Sequence, residues 1–307
     1  MLFHFRPLHL GLAAALLSVA LVAVVELVHM GRNSSPASWA RRFPPGDATT
    51  VYLDVAAIRA AGLMDVLQGV DVPEEGDYRS FVQATGFDYA RDLDGVMASF
   101  RDTATYLLLQ GHFDWGRLID YVNQQDGNCY NGLCRMAGST PERQISFMAI
   151  TPRVMAMAVS ADMTAVWALQ SERDTDPAIP EAPVWLSLSG SRLERSSWLP
   201  AGTHSFVSAV SDSDRGTRSL APSNAEFEAR LDVSCESREK AQQLADRLKS
   251  VTELLASLIR RERQQPNPND LSGVLTAGTF ECDGARMRGR WPVRRAFLEG
   301  ILLGGSP

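Results

Sequence analysis

Hydrophobic and polar residues alternate in "TTVYLDV", a period of two that predicts a half-buried strand beginning at residue 49. The period lengthens in "AAIRAAGLMDVL" and "DYRSFVQATGFD", which predict helices, the second closed by Gly86. "DGVMASF" and "ATYLLLQGHF" predict paired strands around residues 101–103. "DWGRLIDYVNQQ" reads as a helix with Asp114 as N-cap and Phe113 and Leu118 spaced as a hydrophobic staple. "RQISFMAI" and "RVMAMAVSAD" predict a hairpin across Thr151 and Pro152.

A polar stretch with Pro177 and Pro180 follows, and the pattern then restarts. "VWLSLS" predicts a strand, residues 192–198 a short helix, and "HSFVSAVS" and "AEFEARLDVS" two more strands. Residues 237–265 carry Ala241, Leu244, Leu248, Val251, Leu255 and Leu258 on one helical stripe, stopped by Pro266 and Pro268. "GVLTAGTFEC" and "ARMRGRWPV" predict strands, and "RRAFLEGIL" a last helix. The same order of elements thus runs twice. The expected fold is α+β, with two ferredoxin-like (split βαβ) halves, each an antiparallel sheet backed by helices. The halves are residues 48–170 and 183–307, joined by a linker at 171–182.

Residues 8–30 are apolar on every side and long enough for a hydrocarbon layer of about 30 Å. A cleaved signal peptide needs small residues at −3 and −1 just after the apolar core, and "ELVHMGRN" has none. Residues 1–30 are therefore expected to form a transmembrane signal anchor. Residues 31–47, rich in Ser, Pro and Arg, are expected to be a linker holding the ectodomain off the membrane. Flanking arginines are nearly balanced and do not decide orientation.

The cysteines bear on compartment. Asn131-Gly132 is a tight-turn signal, and a turn there brings Cys129 and Cys134 within bridging reach. Cys235 and Cys282 end two strand-like runs and offer a second bridge if those strands are neighbours. Free thiols and a metal or redox site are the competing readings. The latter lacks Cys-x-x-Cys spacing and nearby histidines. Disulfides place the ectodomain in the periplasm or at the cell exterior.

At 45% hydrophobic and 21% charged residues, the chain has the composition of a folded protein. Its net charge of −6 and its short, broken basic runs argue against a nucleic-acid partner. No nucleophile elbow, phosphate loop or zinc-protease motif is present. No catalytic residue, metal or cofactor is expected. Asp88, Asp92 and Asp94 of "FDYARDLDG" could form an acid/base pair, which gives a second reading as an extracytoplasmic hydrolase. It requires those carboxylates to converge in a pocket with one pKa raised. The loop carrying Tyr130, Arg135 and Arg143 is the candidate binding loop.

"TGFDYARDLD", "GHFDW" and "CRMAGSTPERQISF" resemble an uncharacterised family of bacterial membrane-anchored envelope proteins, over most of the chain. The resemblance implies a location and no activity. The expected function is that of a non-enzymatic, single-pass binding or envelope-assembly module. Its partners would be the membrane, through the N-terminal helix, and an envelope protein or lipid.

Overall fold

A computed structural model describes residues 35–62, 64, 76–138, 140, 142–189, 215–223, 226–261 and 265–302. The expected transmembrane segment, the helix near 192–198 and the strand at 204–211 lie outside the described residues. Among the described residues no helix is long and apolar enough to cross a membrane.

Twelve strands make one sheet. In chain order they are β1 (Thr49–Asp54), β2 (Leu93–Phe100), β3 (Ala104–Gly111), β4 (Asn128–Tyr130), β5 (Leu133–Met136) and β6 (Gln144–Thr151). Then come β7 (Val154–Ser160), β8 (Val184–Ser189), β9 (Arg215–Ser223), β10 (Glu226–Ser234), β11 (Thr279–Asp283) and β12 (Arg286–Val293). The spatial order is β11-β12-β10-β9-β8-β1-β2-β3-β7-β6-β5-β4, with antiparallel neighbours throughout. This is an α+β molecule with a large antiparallel sheet.

Among the described residues ferredoxin-like halves are not found. A split βαβ unit inserts its third strand between its first two, whereas β1 pairs directly with β2; in the second half such a unit would pair β8 with β10, and β9 lies between them. The sheet is also continuous across the expected boundary, because β1 pairs with β8 at Tyr52↔Trp185 and Thr50↔Ser187. Local alternation specifies strands but not which strand lies beside which.

Eight helices are described: α1 (Pro36–Arg42), α2 (Val55–Ala60), α3 (Gly76–Thr85), α4 (Tyr89–Asp92), α5 (Trp115–Gln124), α6 (Arg238–Arg261), α7 (Leu271–Thr276) and α8 (Arg295–Leu302). A 3-10 turn spans Ala165–Leu169. Asp114 caps α5 as expected, accepting from the Arg117 N–H at 3.1 Å. Gly86 follows α3 with φ 72°, the left-handed conformation that glycine adopts freely.

The stretch expected to be a linker contains α1. Ser35 caps it, Pro36 stands at its start, and Trp39 is buried under it. The run expected as one strand from residue 273 begins instead as α7. Asp270 caps that turn by accepting from the Ser272 and Gly273 N–H groups, and the strand starts only at Thr279.

Both sheet faces carry apolar packing. On one, the cross-strand row Leu133, Met148, Ala156, Leu108, Met97, Tyr52 and Trp185 is in register over seven strands. Trp39 of α1 and Val166 and Leu169 of the 3-10 turn complete that core. The opposite face has two clusters. Leu118 and Val122 of α5 cover Met155, Phe147 and Cys134. The stripe of α6, from Ala241 to Leu248, covers Leu231, Val233 and Met287. Each fully buried leucine or methionine contributes roughly 2 kcal/mol of apolar transfer.

Candidate functional site

One register step from the apolar row, the same sheet face turns polar. Ser99, Thr50, Ser187, Thr217 and Asp232 stand side by side on β2, β1, β8, β9 and β10. Adjacent strands lie ~4.8 Å apart, so the row is about 19 Å long. It floors a groove of about 450 Å³.

Two extended segments form the walls. Residues 43–48 and 173–180 bring Phe43, Pro44, Pro45, Pro177, Ile179 and Pro180 to the rim. Arg101 donates to the Pro44 and Pro45 carbonyls, fixing the first wall to the β2–β3 turn. Arg173 donates to the Arg42 and Ala168 carbonyls, and its backbone N–H reaches Arg41 O at 2.9 Å. Both walls therefore hang on α1.

That attachment centres on Glu172. Its carboxylate accepts from Ser38 Oγ at 2.8 Å, Arg41 Nε at 2.9 Å and Arg42 Nη2 at 3.2 Å. Burial opposes the Glu172 charge, but the Ser38 and Arg41 hydrogen bonds and the arginine charges outweigh it and hold the carboxyl below its ordinary value.

Ser99 and Trp185 line the groove, and their Oγ and Nε1 atoms are buried without a hydrogen-bond partner. Their residues are 1% and 3% exposed. Trp185 stacks on Tyr52 at 5.7 Å, and burial pushes the Tyr52 phenol up to about 12. An indole N–H can only donate, whereas a serine hydroxyl donates and accepts.

The candidate binding loop is laid out differently. Asn131 (φ 49°) and Gly132 (φ 77°) make the expected turn between β4 and β5. Cys129 and Cys134 are directly paired and bridged, with Cα atoms 4.0 Å apart. Tyr130 is 77% exposed beside this turn. Arg135 stands on β5 opposite Asn128, and Arg143 is exposed just before β6. The strand register sets Arg143 about 17 Å along the strand direction and two strands across from Tyr130. The three residues therefore do not converge.

The second bridge is not formed. β12 lies between β10 and β11, so Cys235 and Cys282 are not on neighbouring strands, and both carry thiols. The Cys235 N–H donates to Ala285 O, and Cys282 Sγ donates to Ala241 O at 3.3 Å. Burial pushes the Cys282 thiol up.

The acids of residues 88–94 are tied into local structure. Asp88 caps α4 by accepting from the Ala90 N–H. Asp92 accepts from the Asp88 N–H, and the Arg91 hydrogen bond lowers its pKa, opposite to what a general acid needs. Asp94 pairs with Arg153 at 2.7 Å and Arg59 at 3.6 Å, with His112 at 3.9 Å. Among the described residues no group of three or more His, Cys, Asp or Glu could hold a metal ion.

No family model matches the chain, and no curated protein matches it. Among solved structures it is similar to crystal form III of TP0453, at 10% identity and a TM-score of 0.49 over 86% of this chain and 97% of that one. Crystal form I of TP0453 gives 11% identity and a TM-score of 0.46 over 89% and 100%. A likeness this coarse says nothing of activity.

Proposed function

We propose that this chain is a non-enzymatic binding module of the cell envelope, anchored by residues 1–30, whose site is the groove over Ser99, Thr50, Ser187, Thr217 and Asp232. The observation that carries the reading is the row of five polar side chains flooring a groove of about 450 Å³, beside which Ser99 Oγ and Trp185 Nε1 are buried without a partner. Buried polar groups are normally hydrogen-bonded, and each unmet one costs about 1–3 kcal/mol.

The Cys129–Cys134 bridge supports an oxidising compartment, and the apolar run of residues 8–30 supports membrane anchoring. The partner is an envelope component that reaches into the groove rather than one held by the exposed Tyr130 loop.

Thermal unfolding of the full-length protein in mild detergent tests this. The probes are an oligosaccharide set, short acidic and basic peptides, and a short-chain phospholipid. At least one class is expected to raise the unfolding temperature of the wild type and to lose that effect in Ser99→Ala. If no class shifts it, or every shift persists in Ser99→Ala, the groove is not the site.

A further inference from the structure

Given that the groove is the binding site, we infer that its ligand is an extended oligosaccharide strand lying along the polar row, across the β-strands. The inference rests on spacing and chemistry. The floor presents one polar side chain per strand, Ser99, Thr50, Ser187, Thr217 and Asp232, at intervals of ~4.8 Å. A chain of linked pyranoses repeats at a similar interval and offers hydroxyls at each step. An extended peptide repeats every ~3.4 Å, with side chains on alternate faces, and drifts out of step with the row within two residues. A lipid tail would set four hydroxyls and the Asp232–Arg288 ion pair against hydrocarbon, at a cost of roughly 1–3 kcal/mol for each hydroxyl left without a partner.

The donor and acceptor types agree with the spacing. Four of the five floor positions are Ser or Thr, whose hydroxyls both donate and accept, so each can follow a sugar hydroxyl of either orientation. Asp232 accepts only, and Trp185 Nε1 donates only. Asp232 already pairs with Arg288 at 3.5 Å, so a ligand donor there meets a carboxylate held by that guanidinium, at one defined end of the row. The walls complete the fit. Phe43, Pro177 and Ile179 are apolar and suit the C–H faces of the rings, while the floor holds the ring edges. The length of the row accommodates about four units.

Isothermal titration of the full-length protein in detergent is the test. The probes are tetrasaccharides of three kinds (a neutral glucan, its N-acetylated counterpart and a uronic-acid oligomer) and the matching disaccharides. At least one tetrasaccharide is expected to bind with one-to-one stoichiometry, and at least tenfold tighter than its disaccharide. Ser187→Ala combined with Thr217→Val removes two floor hydroxyls from partly exposed positions. It should weaken that binding about tenfold or more while leaving the unfolding temperature of the free protein unchanged. If the double variant does not fold, Ser187→Ala alone should weaken binding measurably. Binding of none of the tetrasaccharides overturns the inference, as does equal affinity for tetrasaccharide and disaccharide. If a peptide or the phospholipid binds instead and is sensitive to Ser99→Ala, the oligosaccharide inference fails while the groove remains the site.

Discussion

Replacing Glu172 by Gln should loosen both walls of the groove at once. The carboxylate takes hydrogen bonds from Ser38, Arg41 and Arg42, and Arg42 is only 6% exposed. Gln keeps the shape but supplies one acceptor oxygen, and its NH2 group faces a guanidinium. A hydrogen bond to a charged partner is worth about 1.5–3 kcal/mol, whereas the Arg41 pair, a third exposed, is worth under about 1 kcal/mol. Arg42 retains the Gln170 and Leu169 carbonyls, which limits the damage. The net loss should be about 2–3 kcal/mol at neutral pH, a drop of roughly 6 °C in unfolding temperature for a chain of this size. The effect has a pH signature. Glu172 is held below its ordinary value of 4.5, so its stabilisation is complete above that pH and is lost as pH falls through the lowered value. Differential scanning calorimetry of both proteins from pH 7 to pH 3 should show the gap between them closing below about pH 4.5. A gap under 1 °C at pH 7, or one that stays constant through the acid range, would refute the clamp.

Other outcomes follow from packing and covalent structure. Mass spectrometry after alkylation of the unreduced, denatured protein should count two labelled thiols, Cys235 and Cys282, and four after reduction. Breaking the Cys129–Cys134 link by double substitution to Ser should cost about 2 kcal/mol in urea unfolding, as expected for a loop with a sequence separation of 5. Leu248→Ala, at a fully buried position on α6, should cost about 3 kcal/mol by the same assay. Gly111→Ala would place a methyl 2.3 Å from Asp92 O and should destabilise by about 3 kcal/mol or fail to fold. On intact cells, a membrane-impermeant maleimide applied after a mild reductant should label Cys129 or Cys134. Labelling that appears only after lysis would argue against an ectodomain outside the cytoplasm.

Strands packed on an apolar layer were plain in the sequence, because their alternation of period two records which face is buried. β2, β3, β6, β7, β8 and β10 belong to this group, and α6 announced itself by the stripe from Ala241 to Leu248. β9 did not, since "RGTRSLAPS" carries the polar floor on one face and Arg218 with Leu220 on the other. α1 was hidden by its Ser, Pro and Arg content, although Ser35, Pro36 and the buried Trp39 together form a helix-start signature. Strand order was out of reach, because nothing local in β1 says that it will lie between β2 and β8. The groove was illegible for the same reason. Its floor draws single Ser, Thr and Asp residues from five strands, each an ordinary polar position until the register sets them in line. Cys129–Cys134 was legible because Asn131-Gly132 settles the matter within six residues, whereas Cys235 and Cys282 depended on which strand came between them.

Among the described residues the sheet ends in two edge strands, and an edge strand carries backbone groups able to recruit a further strand. At one rim β4 is only three residues long and is fastened to β5 by the disulfide, which leaves little rigid template for another chain. At the other, β11 sets Glu281 and Asp283 opposite Arg288 and Arg286, so a newcomer would meet charge rather than an apolar edge. The staple thus guards against strand-by-strand growth. A molecule that loses it should show its defect first as self-association at the β4 rim, before any loss of its cores.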